Sequence, residues 1–213
     1  IDLFAGPSEV LIVADHTADP VIVAADILAQ CEHGTESEAI LITLSEDLGL
    51  KIMEEVEKQL PLLETREVAS ICWKNRGEVV VAENHEEALE LANFYANEHV
   101  EIQTENYEWY LENMTNYGSL FLGPCTTVAL GDKGIGTNHI LPTMKAGRYT
   151  GGLAVGKFLK TLTYQNAEPK GLKYVAPYCS ISCGMEGMMA HKKSIDMRLE
   201  KYGFPVPDYK RLG

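Results

Sequence analysis

The sequence predicts an α/β fold built on a mainly parallel sheet. Short apolar, β-branched runs alternate with segments of helical periodicity through the first two-thirds of the 213 residues. The first run, residues 10–14, is continuously apolar, which is typical of a strand buried on both faces. Since parallel strands are joined through helices, this order of elements indicates βαβ units.

Five strands are predicted in this region. They cover residues 10–14, 39–43, 78–81, 100–102 and 118–122. The helix after the first strand begins with Asp19 as its cap and Pro20 at its first helical position, and it ends near Glu32. We expect one helix between each strand and the next.

Three further helices are predicted from their first residues. Ser45 is expected to cap a helix that ends at Pro61, and Asn84 and Asn106 are expected to cap the next two. The pattern then dissolves into a Gly-rich stretch from Gly123 to Tyr149, and loops of this length are usually functional or disordered.

The end of the chain carries one more helical pattern. Residues 167–171 read as a linker, and residues 184–202 have apolar side chains near helical spacing. A lone terminal helix cannot bury its apolar stripe, so we expect it to pack on the body of the protein or on another subunit.

Composition and charge exclude several classes of protein. The hydrophobic share is 46%, and 31 acidic against 18 basic residues give a net charge of −13. A chain this acidic is a poor partner for nucleic acid or an anionic membrane, and no stretch approaches the roughly 18–20 apolar residues of a membrane span.

The five cysteines have no C-x-x-C spacing, which favours reduced, buried thiols in a cytoplasmic protein. The chain starts at Ile1 without Met, so we expect a removed leader or a longer polypeptide.

Three polar clusters are candidates for chemistry. Gln30 and His33 are three residues apart on one helical face and can form half of a metal site, or His33 can simply bond a loop carbonyl at the helix end. Glu98 and His99 precede a short strand and can act as a general acid/base pair. Asp132, near His139 in the Gly-rich loop, is a site component or a turn residue that bonds its own backbone. The glycines there form no dinucleotide-binding fingerprint.

Longer stretches carry a resemblance to a known family. The opening segment, IDLFAGPSEVLIVADHTADPVIVAADILAQCEHG, closely resembles the signature region of histidinol dehydrogenases. The likeness continues, in the family's order, through Asn97-Glu98-His99, Gly131-Asp132, residues 136–143, Glu186-Gly187 and Ala190-His191-Lys192. Asn97 stands where the family usually has Pro.

This resemblance implies a zinc- and NAD-dependent enzyme. It would oxidise a primary alcohol to a carboxylate through a bound aldehyde in two hydride transfers, L-histidinol to L-histidine in the first instance. Residues 156–161 and 183–189 look closer to paralogues that act on other small polyols, so 2,3-dihydroxypropane-1-sulfonate is an alternative substrate. A non-catalytic metal-binding dimerisation module is a second alternative.

The resemblance also implies the roles of individual residues. Glu98 would activate water and His99 would be the general base. The zinc ligands would be Gln30, His33, Asp132 and His191. The substrate-binding set would be Ser8, Gln30, His33, His99, Asp132, His139, Glu186 and His191.

The domain organisation follows from the same resemblance. Residues 1–153 would be an incomplete Rossmann-like domain with the metal and proton-transfer residues. Residues 154–213 would be an extended helical dimerisation tail, swapped onto the partner of a homodimer with shared active sites. In the family the other Rossmann-like domain, with most NAD contacts, precedes the Ile-Asp segment, so the cofactor-binding residues are expected there. We therefore expect this fragment alone to be inactive.

Overall fold

The structure is a computed structural model that describes residues 5–208. Ile1 and Asp2, which open the signature-like segment, lie outside the described residues. Contacts divide the chain after Leu159 into two compact units, whereas the sequence predicts a boundary at residue 153.

Unit 1 is built on a parallel sheet. Within the described residues, the sheet has five strands in the order β3-β2-β1-β4-β5, and every neighbouring pair is parallel. The strands are β1 (Glu9–Ala14), β2 (Glu38–Thr43), β3 (Gly77–Val81), β4 (His99–Gln103) and β5 (Ser119–Leu122). The predicted α/β class with a mainly parallel sheet is confirmed. The order grows outward from β1 in both directions, so β1 and β4 flank the point where the direction of winding changes.

Helices cover both faces of this sheet. They are α1 (Pro20–Cys31), α2 (Glu46–Gln59), α3 (Arg66–Arg76), α4 (His85–Tyr95), α5 (Tyr107–Asn113) and the single turn α6 (Val128–Leu130). One core joins α1, α2 and α3 to the β1 face that carries Val10 and Ile12. A second core joins α4 and α5 to the face that carries Leu11 and Val13. This double covering is why β1 is continuously apolar.

The predicted starts of the first helices are confirmed, with one exception. Asp19 Oδ1 accepts a hydrogen bond from Val21 N at 2.9 Å, ahead of Pro20 at the first helical position. Ser45 and Asn84 cap α2 and α4 in the same way. Asn106 precedes α5, but its side chain makes no cap bond within the described residues.

Unit 1 also departs from the prediction in three places. A 3-10 turn (Leu60–Leu62) and α3 follow α2, so two helices rather than one connect β2 and β3. The expected loop after Gly131 contains a turn of π-helix, Gly131–Ile135. Further 3-10 turns lie at Ala146–Arg148 and Val155–Phe158.

The five cysteines are free, but only Cys31 and Cys72 are buried.

Unit 2 contains a pair of helices instead of the predicted lone one. These are α7 (Pro169–Met185), which begins inside the expected linker, and α8 (Met189–Lys201). The helices pack on each other through a buried polar contact in which Lys192 Nζ lies 2.6 Å from Asp196 Oδ2 and 3.1 Å from Ser180 Oγ. Each helix therefore covers part of the other's surface. Among the described residues, no helix is both long and apolar enough to span a membrane.

Candidate active site

A cluster of buried polar groups forms at the amino ends of two neighbouring strands. Glu9 is the first residue of β1 and His99 is the first residue of β4. In the parallel pairing of these strands, Val10 lies opposite His99, which puts Glu9 beside Glu98. The exposed fractions of Glu98 and His99 are 7% and 4%.

The carboxyl groups of Glu9 and Glu98 each accept a hydrogen bond from the backbone N–H of the other residue. Glu98 Oε2 accepts a hydrogen bond from Glu9 N at 3.1 Å, and Glu9 Oε2 accepts one from Glu98 N at 3.2 Å. The second oxygen of Glu9, Oε1, accepts from Met144 N at 2.7 Å. Three segments far apart in the sequence are thus joined at one buried point, which fixes both carboxyl groups.

The hydrogen bonds of His99 determine which ring nitrogen carries the proton. Its Nδ1 lies 2.8 Å from the carbonyl oxygen of Glu9 and 3.4 Å from Glu98 Oε2. Because a carbonyl oxygen can only accept, we assign the proton to Nδ1. Nε2 then bears the lone pair, as a general base requires.

Burial sets the proton affinities of this pair. Burial, helped by the charges of Glu9 and Asp132 and opposed by hydrogen bonds from Glu9 N and Ser8, raises the pKa of Glu98 to about 7. Burial lowers the pKa of His99, against the opposing effects of the Glu9 carbonyl and Asp132. Near neutral pH the site therefore holds a neutral imidazole beside a carboxyl group that is close to its titration midpoint.

Two glycines allow the close packing around the pair. A Cβ at Gly118 would lie 2.4 Å from the carbonyl oxygen of Glu98, which Ser119 N already binds at 2.8 Å. A Cβ at Gly131 would lie 2.8 Å from the Phe121 ring. That ring lies against the imidazole of His99, with the ring centroids 5.9 Å apart. A side chain at either glycine would displace the site.

Three of the four predicted metal ligands lie in unit 1. The last turn of α1 carries Gln30, which is 3% exposed, and His33 follows that helix on the surface. Asp132 lies in the π-helical turn and interacts electrostatically with both Glu98 and His99, while His33 interacts with His99. The structure thus brings Asp132 and His33 close to the proton-transfer pair.

The donor set fits a zinc ion. Gln30 Nε2 is buried and has no hydrogen-bond partner among residues 5–208. A rotated amide would put the oxygen of Gln30 at that orphaned position, where a cation would satisfy it. An amide oxygen, an imidazole and a carboxylate are N/O donors that Zn²⁺ accepts.

The remaining predicted residues have varied surroundings. Ser8 is half-buried and hydrogen-bonds Glu98. His139 is exposed in the irregular segment after the π-helical turn. Glu186 and His191 belong to unit 2, where both are exposed, and Ser182 Oγ donates to Glu186 Oε1 at 3.0 Å. His191 lies in the first turn of α8.

Sequence reasoning missed one residue of the site and one further cluster. Glu9, directly before the apolar run of β1, makes the hydrogen bonds that join it to Glu98 and Met144. An acid at the start of a buried strand was the available signal.

At the carboxyl ends of β1 and β4, Asp15, His16 and Glu105 bring possible metal-ligand atoms within 4.8 Å of one another. However, both oxygens of Asp15 accept hydrogen bonds, Oδ1 from Thr17 and Oδ2 from Glu105 N, so Asp15 links the two strand ends.

Comparison with known proteins gives one consistent result. The family model described as histidinol dehydrogenase matches residues 1–199. A histidinol dehydrogenase homolog of Shouchella clausii is 50% identical over 95% of this chain and 48% of its own length. Sulfopropanediol 3-dehydrogenase of Ruegeria pomeroyi is 42% identical over 96% of this chain and 47% of its length.

A solved structure agrees with these sequence matches. The crystal structure of histidinol dehydrogenase from Elizabethkingia anophelis superposes with a TM-score of 0.88 at 37% identity, over 95% of this chain and 46% of that one. The chain therefore spans about half the length of these relatives.

Proposed function

The chain belongs to the histidinol dehydrogenase family, and from that premise we propose that the full-length protein oxidises a primary alcohol to a carboxylate, with Zn²⁺ and NAD as cofactors. The observation that carries this proposal is the buried Glu98–His99 pair. Its two members have the proton affinities that the two halves of such a reaction need. When bound, Zn²⁺ orients the substrate oxygen and NAD accepts the hydrides.

His99 acts in the first half of the proposed reaction. Its Nε2 accepts the hydroxyl proton of the alcohol as the hydride leaves carbon, which yields the aldehyde. The Glu9 carbonyl, bound to Nδ1 at 2.8 Å, keeps the imidazole oriented and stabilises the imidazolium that forms. Low solvent exposure favours the neutral ring beforehand, so the base is ready at neutral pH.

Glu98 acts in the second half. As a carboxylate it takes a proton from the water that adds to the aldehyde, and loss of a second hydride from the hydrate gives the carboxylate product. A pKa of about 7 makes Glu98 a stronger base than an exposed glutamate. The carboxylate form is the active one, so this step speeds up as pH rises through 7.

The proposed metal ligands are Gln30, His33, Asp132 and His191. The first three are supported by the orphaned amide of Gln30 and by the interactions of His33 and Asp132 with the proton-transfer pair. We propose that His191 and Glu186 are supplied by the partner subunit of a cytoplasmic homodimer whose second units are exchanged. Ser8 and His139 are proposed substrate contacts.

L-Histidinol is the proposed substrate, because its imidazole can add a ligand to the metal. A second candidate is 2,3-dihydroxypropane-1-sulfonate, because the relative named sulfopropanediol 3-dehydrogenase is 42% identical over nearly the whole chain. Both substrates would use the same proton-transfer pair.

The test compares the two alcohols with the full-length protein. We expect zinc to copurify, and we expect two NADH formed per L-histidinol consumed, with a higher kcat/KM than for the sulfonated diol. The reverse preference would establish the second candidate. Bound zinc without NADH formation from either alcohol would instead support a non-catalytic metal-binding dimerisation module. If His33→Ala left the zinc content unchanged, the ligand assignment would fail.

A further inference from the structure

A second pair of carboxyl groups lies next to the candidate site and has no part in the mechanism above. Glu101 is two residues after His99 on β4, on the same face of the sheet, and its exposed fraction is 0%. Asp26 is on α1, one turn before Gln30. The two carboxyl groups hydrogen-bond each other.

The contact between these groups requires a shared proton. Asp26 Oδ2 and Glu101 Oε2 are both buried, and among the described residues no ordinary donor lies in hydrogen-bond geometry with either oxygen. The Gln103 side chain lowers the pKa of Glu101, but burial and Asp26 outweigh this effect. Two carboxylate oxygens cannot bond without a proton between them, and burial raises the pKa of both groups. The pair is therefore a carboxylic acid bonded to a carboxylate.

The outer oxygens of the pair both bind the chain just ahead of Asp132. Asp26 Oδ1 accepts from Thr127 Oγ1 at 2.9 Å, and Glu101 Oε1 accepts from Val128 N at 3.1 Å. Val128 begins α6, which runs directly into the π-helical turn that carries Asp132. Because this stretch is helical throughout, the position of its first residues determines where Asp132 lies.

Three elements of the site therefore meet at this pair. Helix α1 carries Gln30 and leads to His33, strand β4 carries His99, and the α6 turn leads to Asp132. We propose that Asp26 and Glu101 are positioning residues that act as one clamp, which ties α1, β4 and the Asp132 segment together. The clamp holds Asp132 against the metal site and the Glu98–His99 pair. This inference rests on the proposed function only for the role of Asp132 as a ligand.

The test uses two substitutions of Glu101 in the full-length protein. Glu101→Gln keeps the clamp, because its amide can donate to Asp26 and its oxygen can still accept from Val128 N. Glu101→Met has a similar volume but cannot form either bond. Tyr110→Phe is the matched control, because Tyr110 is buried on the opposite face of the sheet and also loses one polar contact, 2.9 Å from its hydroxyl to His85 Nδ1.

The first measurement is amide hydrogen exchange of metal-free protein over residues 125–136. Glu101→Met is expected to exchange faster there, on the order of tenfold, since Val128 N loses its acceptor. Glu101→Gln and Tyr110→Phe are expected to match wild type over that segment. Unchanged exchange in Glu101→Met, or equal loss of protection in Glu101→Gln, would overturn the clamp.

The second measurement is zinc affinity by competition with a chelator. Glu101→Met is expected to bind zinc roughly 10–100-fold more weakly, as is typical when a group that supports a ligand is lost, while Glu101→Gln and Tyr110→Phe keep wild-type affinity. If wild type binds no zinc but the exchange results hold, the clamp stands and the proposed function fails. If Glu101→Met binds zinc as tightly as wild type, Asp132 does not depend on the clamp and the proposal is wrong.

Discussion

At the amino ends of β1 and β4, Glu9 and Glu98 are buried and their pKa values are raised, whereas Asp15 at the carboxyl end of β1 has a lowered pKa. Asp15 is also buried, and burial alone would raise its pKa. Hydrogen bonds from Thr17 and from Glu105 N outweigh that effect. The acids at the amino ends of β1 and β4 therefore resist ionisation, whereas the acid at the carboxyl end of β1 favours it.

The opposite directions of these pKa shifts reflect how many hydrogen-bond donors each carboxyl group receives. Ligands of open parallel sheets usually bind at the carboxyl ends of the strands, where the direction of winding changes. In this protein Asp15 and its donors link the ends of β1 and β4 at that edge, and the candidate site lies at the opposite edge. A carboxylate fully satisfied by donors stabilises the fold, while one left short of donors remains available for proton transfer.

The largest expected effect is on kcat, and it distinguishes a histidine at the amino ends of β1 and β4 from one at their carboxyl ends. His99→Ala in the full-length protein should lower kcat by roughly 10²–10⁴-fold, since it removes the general base, with zinc content unchanged. His16→Ala, which removes an exposed imidazole at the carboxyl ends, should leave kcat unchanged. Steady-state NADH formation and metal analysis measure both, and equal effects of the two substitutions would erase the distinction.

A smaller effect concerns the second half-reaction. Glu98→Gln should slow oxidation of the aldehyde by roughly 10²-fold and abolish the rise in rate as pH increases through about 7, because the titrating base is gone. The measurement is the pH profile of kcat with the aldehyde as substrate. A variant that kept the wild-type profile would show that another group titrates.

The smallest expected effect is on the free energy of unfolding. Its sign should differ between an acid at the amino ends of the strands, Glu98, and one at the carboxyl end of β1, Asp15. Glu98 binds its proton more tightly when folded, so wild type loses stability as pH rises from 4.5 to about 7. Glu98→Gln should therefore be more stable than wild type above pH 7, by up to about 3 kcal/mol, and similar to it below pH 4.5.

Asp15→Asn provides the opposite case. The ionised form of Asp15 stabilises the fold above pH 3.8, and this contribution is lost as pH falls through the lowered folded pKa. The variant should be less stable than wild type at pH 7 by about 1–3 kcal/mol, and the difference should shrink in acid. Urea unfolding at several pH values measures both variants, and the same sign for both would contradict the comparison.

The sequence predicted the elements that carry strong local signals. Helix α1 has a cap, a proline at its first position and an apolar stripe, and β1 has an unbroken apolar run. Helix α3 was missed because it buries only Ala69 and Cys72, and its start shows no side-chain cap in the described structure. Helix α7 was missed because Pro169 lies in the Pro- and Gly-marked stretch 167–171, which reads as a linker, although proline is favoured at the first helical position.

The candidate site was predictable in type but not in arrangement. Glu98 and His99 are adjacent in the sequence, so their pairing could be proposed from it. Glu9 and Glu98 are 89 residues apart, and only the register of β1 against β4 reveals their reciprocal bonds. The pairing of Asp26 with Glu101 likewise depends on how α1 packs on the sheet, which no local pattern specifies.

The irregular segment after β5 also has a consequence for how this protein can change. Residues 133–140 are all exposed, while the Glu98–His99 pair is buried. Surface positions tolerate substitution far better than packed ones, so this stretch can vary while the proton chemistry stays intact. Directed evolution of substrate range should therefore begin with libraries at 133–140, and keep Gly118 and Gly131 fixed as the positions where any added atom reaches the site.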